Sequence, residues 1–508
     1  MMLEHIASGF VLLLDPVIIG VALLGLVAGI TVGALPGLTA TMAVAVLAPF
    51  TFFMETLIGL PFLLGAYKGA IYAGSIPAIL INTPGTAAAA ATAIDGNALA
   101  RKGKAKLALQ ISLVASVIAD LIATIVLIMV AAPLAAIAIK FGAPEFTLLY
   151  AIALTMVAAV SGDDILKGLI ATAIGVVIAT VGLDPMSGYQ RYTFDVPELL
   201  GGVALVPLLI GMFAISEILI RVEARHQEIR NKVLADQDGG PSLNFARLVP
   251  LLPAIFRSTG IGTALGALPG LGAEISCWIS YGIAKKRSKN SADYGNGSEE
   301  GVAAAEAGNN AVCPAALIPM TVFGIPGDTI TAVLLGAFMA QGLMPGPLLF
   351  TQQPEIIYAL FAFLMVSNVM LLLVGFAAIR YLRRIVLIPQ GILYPIVAAF
   401  CLAGAFAVNN SVFDVGVMMA GGFAGYIMRK ISMPIPPLII GLLLAPGLEQ
   451  SLRQTLTISR GSFDIFVTRP GALVLTCLLG LVLALILWRG IKPFVQTSPN
   501  QAEGRTDR

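Results

Sequence analysis

ISLVASVIADLIATIVLIMVAA, residues 111–132, decides the fold class. Its 22 residues hold a single charged side chain, Asp120. Wound as a helix at about 1.5 Å per residue, the run crosses the ~30 Å hydrocarbon layer of a bilayer. Polar and apolar residues do not alternate along it, which excludes a barrel strand. Gly201–Ile220, Ile356–Ile379, Leu393–Val408 and Leu473–Trp488 read the same way. The rest of the chain agrees. Of 508 residues, 58% are hydrophobic and only 11% charged, against roughly 25% charged in a soluble domain. Mean hydropathy is +0.93. A soluble chain needs far more polar surface to cover its core. The net charge of +2 gives no reason to expect a nucleic-acid partner.

Basic residues gather in short loops: Arg101–Lys106, Arg221–Lys232, Lys285–Lys289, Arg380–Arg384, Arg429-Lys430 and the tail from Arg489. Such loops stay in the cytoplasm. Spans at about 107–131, 145–160, 165–183 and 199–220 separate the first two loops by an even number of crossings. Spans at 389–408, 411–428, 433–447 and 471–488 keep the same parity. The loops Asp184–Glu198 and Glu449–Arg469 then fall outside, as does the N-terminus if 17–52 forms a hairpin. Glu4 and Asp15 stand where a cleaved signal peptide would be basic, so none is expected. The four cysteines, Cys277, Cys313, Cys401 and Cys477, lie in apolar runs and read as buried small hydrophobes. No His/Cys/Asp cluster has metal-ligand spacing.

Two halves resemble each other. Gly33-Ala34-Leu35-Pro36-Gly37-Leu38 recurs letter for letter as Gly266-Ala267-Leu268-Pro269-Gly270-Leu271. Pro77 precedes Pro84-Gly85 by seven residues, and Pro319 precedes Pro326-Gly327 by seven. Each Pro-Gly pair splits a helix and frees backbone N–H and C=O groups, which hydrocarbon does not satisfy. Thr83 is placed to cap a new half-helix with Pro84 at its first position. After the first break, half one reaches the uncharged-to-acidic Pro49–Glu55 and half two the basic Lys285–Lys289. After the second break the labels swap: basic Arg101–Lys106 in half one, uncharged Gln341–Gly346 in half two. Opposite labels on equivalent loops predict halves inserted upside down, the build of many secondary transporters. The predicted fold is an all-α polytopic membrane protein of about 10–12 transmembrane helices, with broken helices or re-entrant hairpins in two inverted repeats. Its organisation is a first repeat at 1–222, a cytoplasmic linker at 223–245, a second repeat at 246–490 and a cytoplasmic polar tail at 491–508.

Polar residues cluster at the second breaks. Half one has Tyr67, Lys68, Tyr72, Ser75, Asn82, Thr83 and Thr86; half two has Glu306, Asn309, Asn310, Thr321, Asp328 and Thr329. A lysine inside a membrane span needs a partner or water, so Lys68 either meets a substrate carboxylate or snorkels to an interface. The substrate contacts expected are Lys68, Asn82, Thr83, Pro84, Gly85, Thr86, Gly324, Ile325, Pro326, Gly327 and Asp328. Half-helix starts at Thr83–Gly85 and Gly324–Gly327 would bind a small anion by backbone N–H groups, with no arginine. Ion coupling is expected of Pro36, Gly37, Pro269, Gly270, Glu306, Asn309, Asn310 and Thr321. Oxygens of Asn82, Asn309, Asn310 and Thr321 suit Na⁺, while Glu306 or Asp328 could instead carry a proton. No other cofactor is expected. Asp120 and Asn368 need only pair with a neighbouring helix, Asp163-Asp164 and Asn409-Asn410-Ser411 read as turns, and Ala87–Ala93 allows close helix packing.

Tyr67–Gly85, Asp95-Gly96, Gly266–Leu271, Glu306–Asn310, Gly324–Gly327 and Gly346-Pro347 together resemble the large membrane subunit of the tripartite tricarboxylate transporters, across at least residues 15–480. The resemblance implies a multi-pass protein of the bacterial inner membrane. It implies uptake of citrate-like tricarboxylates or other organic acids by cation symport. A small four-helix membrane subunit and a periplasmic solute-binding protein would be its partners. The family motif falls on Tyr67, Asn82, Thr83, Pro84, Gly85, Glu306, Asn309, Asn310, Pro326 and Gly327. An anion channel without ion coupling is the alternative; an intramembrane enzyme has no HExxH, Ser/His pair or metal cluster to support it.

Overall fold

Apolar runs become helices here because a backbone in hydrocarbon must satisfy its own hydrogen bonds. The computed structural model describes residues 8–13, 15–160, 164–223, 241–385 and 390–496. Among them, eight helices are long and apolar enough to cross a membrane, and five shorter apolar helices accompany them. Large apolar side chains such as Met129, Val177, Leu373 and Val474 point outward, while Asp95, Lys68, Asp120 and Glu306 are buried. This inside-out distribution suits a lipid solvent. The chain is an all-α polytopic membrane protein.

In the first half the helices are α1 (Pro16–Gly33), α2 (Ala40–Leu47), α3 (Thr56–Ala73), α4 (Ser75–Ile81), α5 (Ala90–Arg101) and α6 (Ala105–Ala138). They continue with α7 (Ala143–Val160), α8 (Ile165–Ala179), a hairpin of two-residue strands β1 (Gly182–Leu183) and β2 (Gln190–Arg191), α9 (Leu205–Ile210) and α10 (Ser216–Glu223). A π-helical turn at Gly211–Ile215 joins α9 to α10. The second half runs α11 (Leu252–Gly266), α12 (Gly272–Arg287), α13 (Glu299–Asn310), α14 (Val312–Ala315), α15 (Leu317–Phe323) and α16 (Thr329–Ala340). It ends with α17 (Pro354–Ile385), α18 (Gln390–Asn409), α19 (Val412–Lys430), α20 (Ile435–Ile458) and α21 (Pro470–Gln496).

Packing between the halves is reciprocal. The long α6 packs on α11, α13, α14 and α15, while α17 packs on α1 and α3. Likewise α7 and α8 pack on α20, and α18 and α19 pack on α9, the π turn and α10. Each half thus lends its later helices to the other half's surface.

The identical hexapeptide makes an identical turn. Gly37 and Gly270 have φ of 88° and 87°, the left-handed region that glycine enters freely. Leu38 N–H donates to the Leu35 carbonyl at 3.2 Å, and Leu271 N–H to that of Leu268 at 3.4 Å. The second breaks also match. Helix α4 ends at Asn82 and α15 at Gly324, both left-handed, with φ of 57° and 69°. Helical structure resumes only at Ala87 and Thr329. Thr83 is therefore not the cap that the sequence suggested; Thr86 and Asp328 occupy that place.

Two expectations need adjustment. Cys277, Cys313 and Cys401 are buried, but Cys477 is exposed on α21. Helix α21 continues to Gln496, so the start of the expected polar tail is helical. The turn at Asn409–Ser411 is present, with Ser411 capping α19, and Asp164 caps α8. Asp163, residues 224–240 of the expected linker and 497–508 of the tail lie outside the described residues.

Candidate functional site

Each Pro-Gly break is followed within a few residues by a helix start, and all four starts line one cavity of about 520 Å³. Thr39–Thr41 come from the start of α2, Thr86–Ala88 from the turn leading into α5, Gly270–Ile275 from α12 and Asp328–Ile330 from α16. Of the four prolines, none lines the cavity; the residues just after them do. Helix starts carry unpaired N–H groups and positive dipole character, so the wall is rich in donors.

The four starts are not equivalent. Thr39 caps α2 through its hydroxyl, 3.2 Å from Met42 N. Asp328 caps α16 in a capping box with Thr331, accepting from Thr331 N at 2.8 Å, and it also accepts from Tyr67 OH at 3.3 Å. Thr86 stands at the corresponding place in half one, yet it makes no capping bond. Its buried hydroxyl has no hydrogen-bond partner. Glu274 lies in the first turn of α12 and faces the cavity from an exposed position. The starts at Thr86 and Leu271 are thus the two without a side-chain capping bond.

Arg429, at the end of α19, also lines the cavity. Its guanidinium pairs with Glu217, which accepts from Arg221 Nε at 2.8 Å as well; Arg429 Nε has no partner. One carboxylate between two arginines leaves a positive surplus at this wall. Met433–Pro436, entering α20, complete it.

Lys68 is not among the lining residues. It is 1% exposed, so it does not snorkel. Its ammonium lies 2.7 Å from Asp120 and donates to the Leu364 carbonyl at 2.8 Å and Ser367 Oγ at 2.9 Å. All three ammonium protons are committed, and the lysine ties α3 to α6 and α17. The expectation for Asp120, pairing with another helix, fits this arrangement. The structure places the cavity's cation at Arg429, where the sequence reading expected no arginine.

The remaining expected residues divide. Asn82 is exposed and Gly324 ends α15. Gly327 is buried, and its carbonyl accepts from Gly270 N at 2.8 Å, joining the two breaks of half two. Gly37 packs against the Arg221 side chain. Thr321 gives its hydroxyl to the Leu317 carbonyl of its own helix at 2.7 Å. Ile325 and Pro326 are buried, Pro84 half-buried and Gly85 buried. Deeper in the protein, Glu306 is fully buried among Thr92, Ser116 and Asn310, and Asn309 is fully buried beside it on α13. Of the four residues expected to hold Na⁺, Asn309 and Asn310 share this region, Asn310 donating its amide nitrogen to Ser116 and Glu306, while Thr321 is self-satisfied. Among the described residues no group of three or more His, Cys, Asp or Glu is placed to hold a metal ion.

Sequence reasoning missed Arg429, Glu274 and Thr39–Thr41. The signal for Thr39 was available, since it follows the repeated hexapeptide directly. Arg429 read only as a positive-inside marker.

Comparison with known proteins matches residues 19–440 to the model of the tripartite tricarboxylate transporter TctA family. An uncharacterized 52.8 kDa protein in the TAR-I ttuC' 3' region of Agrobacterium vitis is 34% identical over 475 residues, covering 92% of this chain and 93% of that one. A second, in the TAR-II ttuC' 3' region of the same organism, is 36% identical over 226 residues, 44% of this chain and 92% of its own length. No solved structure matches the chain.

Proposed function

The chain belongs to the tripartite tricarboxylate transporter TctA family, and we propose that it is the large permease subunit of a secondary transporter that imports a small organic acid together with a cation. The observation that carries this reading is the convergence of four helix starts from both halves on one cavity. Backbone N–H groups at Thr86–Ala88 and Gly272–Ala273, the free Thr86 hydroxyl and the Arg429 guanidinium suit a carboxylate. Glu274 and Asp328 share the same cavity. Two carboxylates repel an anionic substrate unless a cation enters with it, which gives coupling a physical basis.

The loop charges support inverted halves. Helix α6 leaves the basic segment Arg101–Lys106, whereas its counterpart α17 runs into the basic segment Arg380–Arg384. Arg429 and Met433–Pro436 belong to the basic end of the bundle, so the cavity is read as opening toward the cytoplasm. In this reading the protein lies in the bacterial inner membrane. A periplasmic binding protein delivers the acid, and a small four-helix subunit completes the complex.

Proteoliposomes holding both membrane subunits and the loaded binding protein test this. A sodium or proton gradient should drive accumulation of the acid, and preloaded vesicles should show counterflow. Thr86→Val should raise the half-saturating concentration by about tenfold, the loss of one hydrogen bond to a charged group. Acid flux that ignores the cation gradient and carries an unopposed current would establish the channel alternative instead.

A further inference from the structure

Glu306 is a carboxylate with no exposed surface, and among the described residues no Lys, Arg or His is paired with it. The other buried acids are differently supplied. Asp120 has Lys68. Asp95 accepts backbone N–H bonds from Gly295, Gly297 and Ser298 and a hydroxyl bond from Tyr281. Asp328, which is only partly buried, caps a helix. Around Glu306 stand chiefly hydroxyls. Thr92 and Ser116 donate to its two oxygens, the latter at 3.1 Å. Ser75 and Ser112 lie in the same region, 2.9 Å apart, with the Ser75 hydroxyl also donating to the Tyr72 carbonyl at 2.7 Å. Tyr72, fully buried, faces it with a phenol that has no hydrogen-bond partner. Asn309, one turn along α13, has both side-chain polar atoms without a partner.

We propose that Glu306 and this hydroxyl cage form a sodium site. A lone buried carboxylate is costly without a counter-charge. A ring of neutral oxygens around one carboxylate suits a hard monovalent cation, since the pair is then neutral and each oxygen lone pair is used. The unpartnered Tyr72 phenol and Asn309 amide supply further oxygens to the same region. The site deepens the symporter reading and rests on it for its role. It also explains how ion and substrate communicate. The 3-10 turn Ala87–Ala89 runs directly into α5. Thr86 at its head faces the substrate cavity, and Thr92 on α5 holds Glu306. A cation that fixes Thr92 fixes the helix start that meets the acid, and by linkage the acid strengthens cation binding.

The purified chain in detergent, without partners or acid, tests the site apart from the transport reading. Melting is followed against NaCl at constant ionic strength with choline chloride, and binding of radioactive sodium is measured directly. The wild type should show a saturable sodium-dependent rise in Tm. Glu306→Gln should abolish it, and Ser116→Ala and Thr92→Val should each weaken sodium binding by about tenfold. The last two variants keep the test decisive should Glu306→Gln fail to fold. Unchanged sodium binding in Ser116→Ala and Thr92→Val overturns the proposal, as does stabilisation that follows pH alone. Loss of sodium-driven uptake in the complex, with sodium binding intact, would instead count against the symporter reading and leave the site standing.

Discussion

At the scale of single residues, Lys68 and Asp120 show what a sequence hides. Both are costly ionisable groups in spans, so each announces a partner. The sequence pointed Lys68 toward a substrate and left Asp120 to an unnamed helix. They meet each other, 2.7 Å apart and buried on both sides. Nothing in local periodicity links α3 to the middle of α6, because that contact depends on how the halves interlock. Arg429 was illegible for the same reason: its place beside Thr86 and Asp328 is set by the packing of α19 on α9 and α10. Removing one member of a buried pair strands the other, typically at about 3–5 kcal/mol, whereas removing both is often nearly neutral. Lys68→Met should therefore lower Tm sharply, and Lys68→Met with Asp120→Leu should recover most of the loss. Uptake should recover with stability in the double variant. If stability returns and uptake does not, Lys68 has a transport role beyond its pairing. Arg429→Gln should raise the half-saturating substrate concentration more than Arg429→Lys, which keeps the charge but loses the planar fork.

At the scale of elements, the breaks were readable and their register was not. Pro-Gly pairs mark where helices stop, and all four do so. They do not mark the restart: in half one helical structure resumes after Thr86 rather than Thr83, following a left-handed Asn82. Close helix contact is the other element-level device. Gly25, Gly29 and Gly33 on α1 lie against the backbone of Phe62, Ala66 and Ala70 on α3; a Cβ on Gly29 would come within 2.1 Å of the Ala66 carbonyl. Even Gly29→Ala must push the helices apart, at about 1–3 kcal/mol, and should lower Tm while Gly20→Ala, whose Cβ meets nothing, should not. The β1–β2 hairpin is held differently. Asp184 accepts from Met186 N and Ser187 N at 2.8 and 3.1 Å and pairs with Arg453 at 2.9 Å. The two backbone bonds chiefly, then Arg453, lower its pKa to about 2. Its folded value lies below the unfolded ~3.9, so its contribution is complete above about pH 4 and fades as pH falls toward 2. The Tm difference between wild type and Asp184→Asn should shrink across that window and stay constant from pH 5 to 7.

At the scale of the whole molecule, the reciprocal packing is what makes a single cavity out of two sets of breaks. Later helices of each half brace the other, α6 against α11 and α13, α17 against α1 and α3, so the four helix starts are held at one place by contacts from both sides. Such an arrangement arises from either an inverted repeat or a parallel one, and the distinction decides the mechanism. Inverted halves exchange roles when the cavity changes sides; parallel halves do not. Loop charge favours inversion. Lys102 donates to the Asn296 carbonyl, which puts the basic loop before α6 at the same end as the Lys285–Asn296 segment. Arg469 pairs with Glu145 at 2.9 Å, joining the loop after α20 to the start of α7, both expected outside. Single cysteines at Lys104 and Gly342, equivalent places in the two halves, should therefore face opposite sides. The experiment uses a chain in which Cys277, Cys313, Cys401 and Cys477 are alanine, since Cys477 is exposed. A membrane-impermeant maleimide on spheroplasts should label the cysteine at Gly342 and leave that at Lys104 unlabelled until the membrane is opened. A cysteine at Met433, on the cavity wall, should follow Lys104. Labelling of Lys104 and Gly342 from the same side would place the two-fold axis along the membrane normal, and the exchange of roles between halves would have to be abandoned.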